Sequence, residues 1–132
     1  VLPYDCGVPN GCEAIFNNSK VDRLYAWSHA KITLNNTTVK YIRCSTHNHS
    51  EPDAHLTIGA GTVVDEIMVS STGLAKFVKI DGVKTLVAEY WSPSLVIKSG
   101  ATVKKLDMNG RTMDDVKIED GATVVEIVNQ AE

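Results

Sequence analysis

Two stretches decide the fold of this chain: LVIKSGATV at residues 95–103 and VKIEDGATV at residues 116–124. Each begins with apolar β-branched residues, continues through a short turn that contains glycine, and ends in Ala-Thr-Val. Valine, isoleucine and threonine favour strands, whereas glycine favours the turn between two strands. The two stretches therefore predict one strand–turn–strand unit that is used at least twice.

The same unit recurs along the chain around six turn residues, each of them an asparagine or a glycine. These two residue types enter the left-handed backbone region most readily, so one turn geometry fits all six positions. The steps between consecutive anchors range from 18 to 25 residues. The anchors are Asn18, Asn36, Gly61, Gly82, Gly100 and Gly121.

Three columns of mostly apolar residues accompany these anchors. The column two or three residues before each anchor holds Phe16, Leu34, Ile58, Ile80, Ile97 and Ile118. The column three residues after holds Val21, Val39, Val64, Thr85, Val103 and Val124, and the column six residues after holds Leu24, Ile42, Ile67, Ala88, Leu106 and Ile127. Side chains alternate between the faces of a strand, so the odd offset between the last two columns predicts a bend in each strand.

We therefore expect an all-β fold, in which residues 1–132 form a single parallel β-helix (β-solenoid) of about six coils. A repeat of ~20 residues cannot bury its apolar side chains alone, whereas stacked coils bury them in continuous ladders. Residues 1–14 are interpreted as an N-terminal cap and residues 43–55 as a histidine-rich insertion loop. The alternative is a left-handed helix of hexapeptide repeats, but its motif occurs once, at residues 58–63, and is not sustained.

Composition narrows the classes of function. The chain has 132 residues, 43% of them hydrophobic, and a formal net charge of -3. This composition is typical of a globular domain and excludes disordered, collagen-like and coiled-coil chains. No apolar run approaches the ~20 residues that a spanning helix needs, so we expect no membrane-spanning segment. A mildly acidic chain without a basic cluster also argues against nucleic acid as a partner.

The segments 95–103 and 116–124 resemble the repeats of diffuse-adherence type autotransporter passenger domains. The resemblance covers residues 56–129 well and residues 14–45 more loosely. It implies a right-handed parallel β-helix, an extracellular or cell-surface location, and adhesion to a glycan or to a host or cell-surface protein. The repeats of that family carry no catalytic or cofactor-binding residues, so the resemblance implies a chain that is not an enzyme.

The insertion contains most of the chain's potential metal ligands. His47 and His49 form a His-x-His pair, which on an extended segment places both imidazoles on one face. His55 and Cys44 are further candidate ligands, although the spacing matches no standard zinc pattern. The insertion has two other interpretations. It is either a polar loop with solvated histidines or the site of a nucleophile pair formed by Cys44 and a histidine.

The remaining cysteines and the aromatic residues give two more hypotheses. Cys6 and Cys12 bracket a Gly- and Pro-containing stretch, which favours a disulfide-closed loop and an oxidising compartment, and the other interpretation is two reduced thiols in a cytosolic protein. Trp27 and Trp91 each lie nine residues after an anchor, with Tyr25 and Tyr90 close by. On one flank of a solenoid these four aromatic side chains would suit ligand binding, and the other interpretation is that they fill the core.

The leading hypothesis is a non-enzymatic binding module of the adhesin type. The alternatives are a phage tail-fibre or tailspike segment, which would be trimeric, and a β-helix enzyme of the lyase type or with a metal site in the histidine-rich loop. Because an open solenoid end leaves strand groups unpaired, we also expect either that the native protein continues beyond the C-terminal coil or that this coil self-associates with another copy.

Overall fold

The computed structural model describes residues 5–9, 11–26, 30–44, 55–69, 73–81, 83–90, 94–110, 113 and 116–130. Within these residues the chain forms thirteen β-strands and no helix. Accordingly, no helix in this part of the chain is long and apolar enough to cross a membrane. The strands are β1 (Asp5–Val8), β2 (Glu13–Asn17), β3 (Lys20–Ala26), β4 (Lys31–Asn35), β5 (Thr38–Cys44), β6 (His55–Ile58), β7 (Val63–Met68), β8 (Gly73–Ile80), β9 (Val83–Tyr90), β10 (Ser94–Ile97), β11 (Thr102–Asp107), β12 (Val116–Ile118) and β13 (Thr123–Val128).

Eleven of these strands wind into a parallel β-solenoid with two sheets. Sheet A has the order β1-β3-β5-β7-β11-β13, and sheet B has the order β12-β10-β6-β4-β2. Every neighbouring pair within the two sheets is parallel. The chain passes from a strand of sheet B to a strand of sheet A and back, so each coil stacks on the one before it. This confirms the predicted fold class, while the hand of the winding stays a prediction.

The solenoid makes about four turns, fewer than the six coils that the anchors predict. The segment around the anchor Gly82 is not a coil, because β8 and β9 pair with each other as an antiparallel hairpin. Ile80 pairs with Val83 across the turn, and Asp81 has a φ of 51°. An Asp-Gly sequence between two β-forming runs favours a local hairpin. The entropic cost of closing this short loop is lower than the cost of pairing each run with a distant coil.

The other five anchors all adopt the left-handed conformation, as predicted. Their φ angles are 52° at Asn18, 47° at Asn36, 77° at Gly61, 85° at Gly100 and 87° at Gly121. Stacking also pairs the asparagine side chains, because Asn36 Nδ2 donates to Asn18 Oδ1 at 2.8 Å. The repeated turn is therefore stabilised both by residues that tolerate a positive φ and by contacts between coils.

The apolar columns form one hydrophobic core between the two sheets. Sheet B contributes fully buried residues such as Ile32, Leu34 and Ile58, and sheet A contributes residues such as Val39 and Ile42. In β3 and in β5 two more exposed residues separate the buried pair. This spacing lets both sheet A columns face the core, which is the bend that the odd offset predicts.

A threonine pair fills the corner after the left-handed turn. Thr37 and Thr62 are fully buried on neighbouring coils. Thr62 Oγ1 donates to the carbonyl of Leu34 at 3.1 Å and accepts from the Thr37 amide at 3.3 Å. Because a buried hydroxyl without a partner is costly, these hydrogen bonds allow a polar residue inside the corner.

The two ends of the described solenoid concern the predicted N-terminal cap and the predicted self-association of the C-terminal coil. Strand β1 pairs with β3 at one edge of sheet A, so the predicted cap at residues 1–14 includes a strand that extends the sheet. Among the described residues β13 pairs only with β11, and its Val125 is 69% exposed. Self-association through this coil stays a prediction.

Candidate binding surface

The connections between the two sheets divide the solenoid into two unlike edges. At one edge the chain passes from sheet B to sheet A through two to four residues, as at 36–37 and 98–101. At the opposite edge the connections from sheet A to the next sheet B strand are residues 9–12, 27–30, 45–54, 69–93 and 108–115. We name this opposite side the loop edge. Stacked repeats whose insertions all leave from one side commonly use that side for binding.

The outer face of sheet A carries a block of arginine and tyrosine side chains next to the loop edge. The outward positions nearest the loop edge are Arg23 and Tyr25 in β3, and Tyr41 and Arg43 in β5. The register places Arg23 beside Tyr41 and Tyr25 beside Arg43. The block therefore has arginines on one diagonal and tyrosines on the other. We call these four residues the arginine–tyrosine patch.

Tyr41 of the patch contacts the neighbouring strand and is perturbed by its surroundings. Its hydroxyl donates to Met68 Sδ on the next strand at 3.5 Å, and the side chain is half-buried. Burial raises the pKa of Tyr41 above its usual value of 10.0, nearby Arg43 opposes this, and Glu66 adds to it. The phenol is therefore uncharged at neutral pH and presents an aromatic ring beside a guanidinium.

Carboxylates close to the patch on sheet A have partners of their own. Lys40 and Asp22 form an ion pair with an Nζ–Oδ1 distance of 3.4 Å, and Lys105 and Glu66 form one with an Nζ–Oε1 distance of 3.3 Å. Asp107 is buried and accepts from the Asn109 amide at 2.9 Å. Such exposed ion pairs contribute little stability, but they offset the negative charge around the two arginines.

Four aromatic residues were predicted from the sequence to bind a ligand, and the structure describes the side chain of one of them, Tyr25. Tyr25 is half-buried on the outer face of sheet A and belongs to the patch. Tyr90 ends β9, where the register places it opposite Gly73. Trp27 and Trp91 fall within connections of the loop edge and lie outside the described residues. The predicted common flank for all four stays a prediction.

The structure describes two of the four candidate metal ligands, His55 and Cys44. His55 is exposed at the start of β6, between the register positions of Lys31 and Ser94. Cys44 is only 1% exposed and belongs to the hydrophobic core. His47 and His49 lie outside the described residues. Within the part of the chain that is described, no three His, Cys, Asp or Glu side chains are grouped so as to hold a metal ion.

The disulfide hypothesis concerns two positions near the N-terminus. Cys12 is exposed and carries a free thiol in this structure. Cys6 lies in β1 at the register position of Leu24, and its side chain is outside the described part. The Cys6–Cys12 disulfide stays a prediction.

Sequence reasoning missed three residues of the patch, Arg23, Tyr41 and Arg43, although the repeat contained the signal for them. Counted from the anchors Asn18 and Asn36, the positions five and seven residues on hold Arg and Tyr in one coil and Tyr and Arg in the next. An alignment of the outward columns, in addition to the apolar ones, would have placed the four side chains together.

The comparisons with known proteins identify no relative. The fold is therefore established by strand pairing and burial alone, and the resemblance to diffuse-adherence repeats stays a prediction. No family model, no curated protein and no solved structure matches this chain.

Proposed function

We propose that this chain is a non-enzymatic binding module, located outside the cell or at its surface, that recognises a glycan or a protein. The observation that supports this best is the contrast between the two solenoid edges. One edge is built from short turns whose geometry repeats, whereas the loop edge carries every long connection between the sheets. A rigid scaffold that concentrates its longest connections on one side is suited to recognition.

The rigidity of the scaffold comes from its core and from its ladders. Fully buried valine, isoleucine and leucine side chains stack from coil to coil, and the turns are tied by backbone hydrogen bonds such as Asn36 N to the carbonyl of Ala60 at 3.0 Å. A preorganised surface loses little conformational entropy when a ligand binds. The scaffold therefore favours binding by a face or an edge that already has its final shape.

The test is direct binding of the purified chain to a glycan array and to intact cells. We expect saturable binding to a subset of glycans, or to cells, with loss of the signal after heat unfolding of the chain. Glycosidase or protease treatment of the cells then distinguishes a glycan from a protein ligand. Absence of saturable binding on both the array and the cells would refute the proposal.

Two measurements separate the proposal from its alternatives. Light scattering coupled to size exclusion gives the mass in solution, and a trimer would favour the fibre hypothesis. Chromatography of bound glycans after long incubation detects shortened products, and cleavage would favour an enzyme. A chain that binds, is not trimeric and leaves its ligand intact supports the binding module.

A further inference from the structure

We propose that the arginine–tyrosine patch of Arg23, Tyr25, Tyr41 and Arg43 is a binding site for an anionic saccharide, with carboxylate or sulfate groups. This inference rests on the proposed binding function and names both the surface and the ligand chemistry. The register of β3 against β5 brings these four side chains together.

The four residues of the patch are closely spaced on two neighbouring strands. Neighbouring strands lie about 4.8 Å apart and each residue advances the strand by about 3.3 Å, so residues on a diagonal are roughly 8 Å apart at their Cα atoms. Arg23 and Arg43 lie on one such diagonal, and Tyr25 and Tyr41 on the other. Two cationic groups and two rings are thus presented within the width of two strands.

Arginine and tyrosine side chains together suit a ligand that has both acidic groups and sugar rings. A guanidinium binds a planar carboxylate or a sulfate with two parallel hydrogen bonds, which an ammonium group cannot reproduce. A tyrosine ring offers an apolar face to the C–H surface of a sugar and a hydroxyl to its polar rim. A ligand with both sugar rings and acidic groups satisfies both residue types, whereas a neutral sugar uses only the tyrosines.

The carboxylates around the patch already have partners within the protein. The carboxylates of Asp22 and Glu66 are each paired with a lysine, and the carboxylate of Asp107 accepts hydrogen bonds from the Asn109 amide and the Asn129 side chain. Among the described residues Arg43 forms no ion pair, although it lies close enough to Tyr41 to affect the pKa of the phenol. An arriving acidic group therefore meets Arg43 without displacing a carboxylate of the described solenoid.

Arg23 and Arg43 differ in their surroundings. Strand β1 places Asp5 at the register position next to Arg23, and Arg23 already makes a contact within the protein. Arg43, one strand further into the sheet, is beside Tyr25 and Met68. We therefore expect Arg43 to be the principal anion contact and Arg23 to be secondary.

The experiment measures affinity by calorimetry for three oligosaccharides of equal length: an oligogalacturonate, a chondroitin sulfate fragment and neutral maltooctaose. At least one of the anionic probes is expected to bind, and maltooctaose at least about tenfold more weakly. Arg43→Gln should weaken binding of the anionic probe about tenfold or more, Arg43→Lys should be intermediate, and Tyr25→Ala should weaken it several-fold.

The matched control is Lys20→Gln, which removes one positive charge from an exposed position at the opposite end of β3. It should change the affinity less than about threefold, because Lys20 lies three residues, about 10 Å, along the strand from Arg23 and outside the patch. Circular dichroism checks that each variant is folded. Equal effects of Arg43→Gln and Lys20→Gln, tighter binding of single-stranded DNA than of either anionic probe, or no binding of these probes would overturn the inference. If cells or other glycans still bind a folded Arg43→Gln variant as well as they bind the unmodified chain, the proposed function survives and the patch assignment fails.

Discussion

Replacement of Ile67 by alanine tests the ladder that holds the coils together. Ile67 is completely buried in β7 and stands in register between Ile42 of β5 and Leu106 of β11. The change removes three carbon atoms, worth about 2.4 kcal/mol at ~0.8 kcal/mol each. A cavity between two stacked coils adds to this, so we expect the free energy of unfolding to fall by about 3–4 kcal/mol.

The matched control is Ile15→Ala, which removes the same atoms from a side chain that is 59% exposed on the outer face of β2. No cavity forms there and little area is uncovered, so the expected loss is below about 1 kcal/mol. Urea unfolding followed by far-ultraviolet circular dichroism gives both free energies from midpoint and slope. If the two variants lost the same free energy of unfolding, Ile67 would not face the core and the assigned register would be wrong.

Three further perturbations test the turn, the corner and the outer face. Gly61→Asn should cost no more than about 1 kcal/mol, because Asn36 also holds a positive φ at the equivalent turn, 47° against 77°, and the atom closest to the added Cβ is the mobile Oδ1 of Asn36 at 3.0 Å. Gly61→Val should cost more than about 2 kcal/mol because a β-branched residue is strongly disfavoured at positive φ. Urea unfolding compares the two variants, and equal losses would contradict the shared turn geometry. Thr62→Val should cost about 1–3 kcal/mol because the buried Thr37 amide loses its partner, while the Leu34 carbonyl keeps the amide of Gly59 at 2.7 Å. Thr38→Val on the exposed face should be nearly neutral, and a harmless Thr62→Val in urea unfolding would show that the corner hydrogen bonds are dispensable. Since the pKa of Tyr41 is raised in the folded chain, the unfolded phenol ionises first, so stability should fall as pH rises above about 10; Tyr41→Phe should reduce that fall in unfolding measured from pH 9 to 11, and an unchanged slope would contradict it.

The candidate site was much less predictable than the fold. Tyr25 was singled out because it lies near a tryptophan, but its neighbours in the folded chain are Arg43 and Tyr41, which are 18 and 16 residues away in the sequence. Outward columns of polar residues are hard to recognise, since many residue types are tolerated at a solvent-exposed position. Cys44 shows the converse: its place beside three histidines in the sequence suggested a ligand, yet the strand turns it into the core.

The strand–turn–strand unit, the left-handed turn and the columns of the core can all be recognised in the amino-acid sequence. Each of these depends on a local requirement, either a residue that tolerates positive φ or a β-branched residue at a buried position. The antiparallel pairing within residues 73–90 and the position of Arg23 beside Tyr41 become visible only in the folded chain. Pairing is a competition between local antiparallel and distant parallel partners, and the stacking that buries the apolar columns also sets which outward side chains become neighbours.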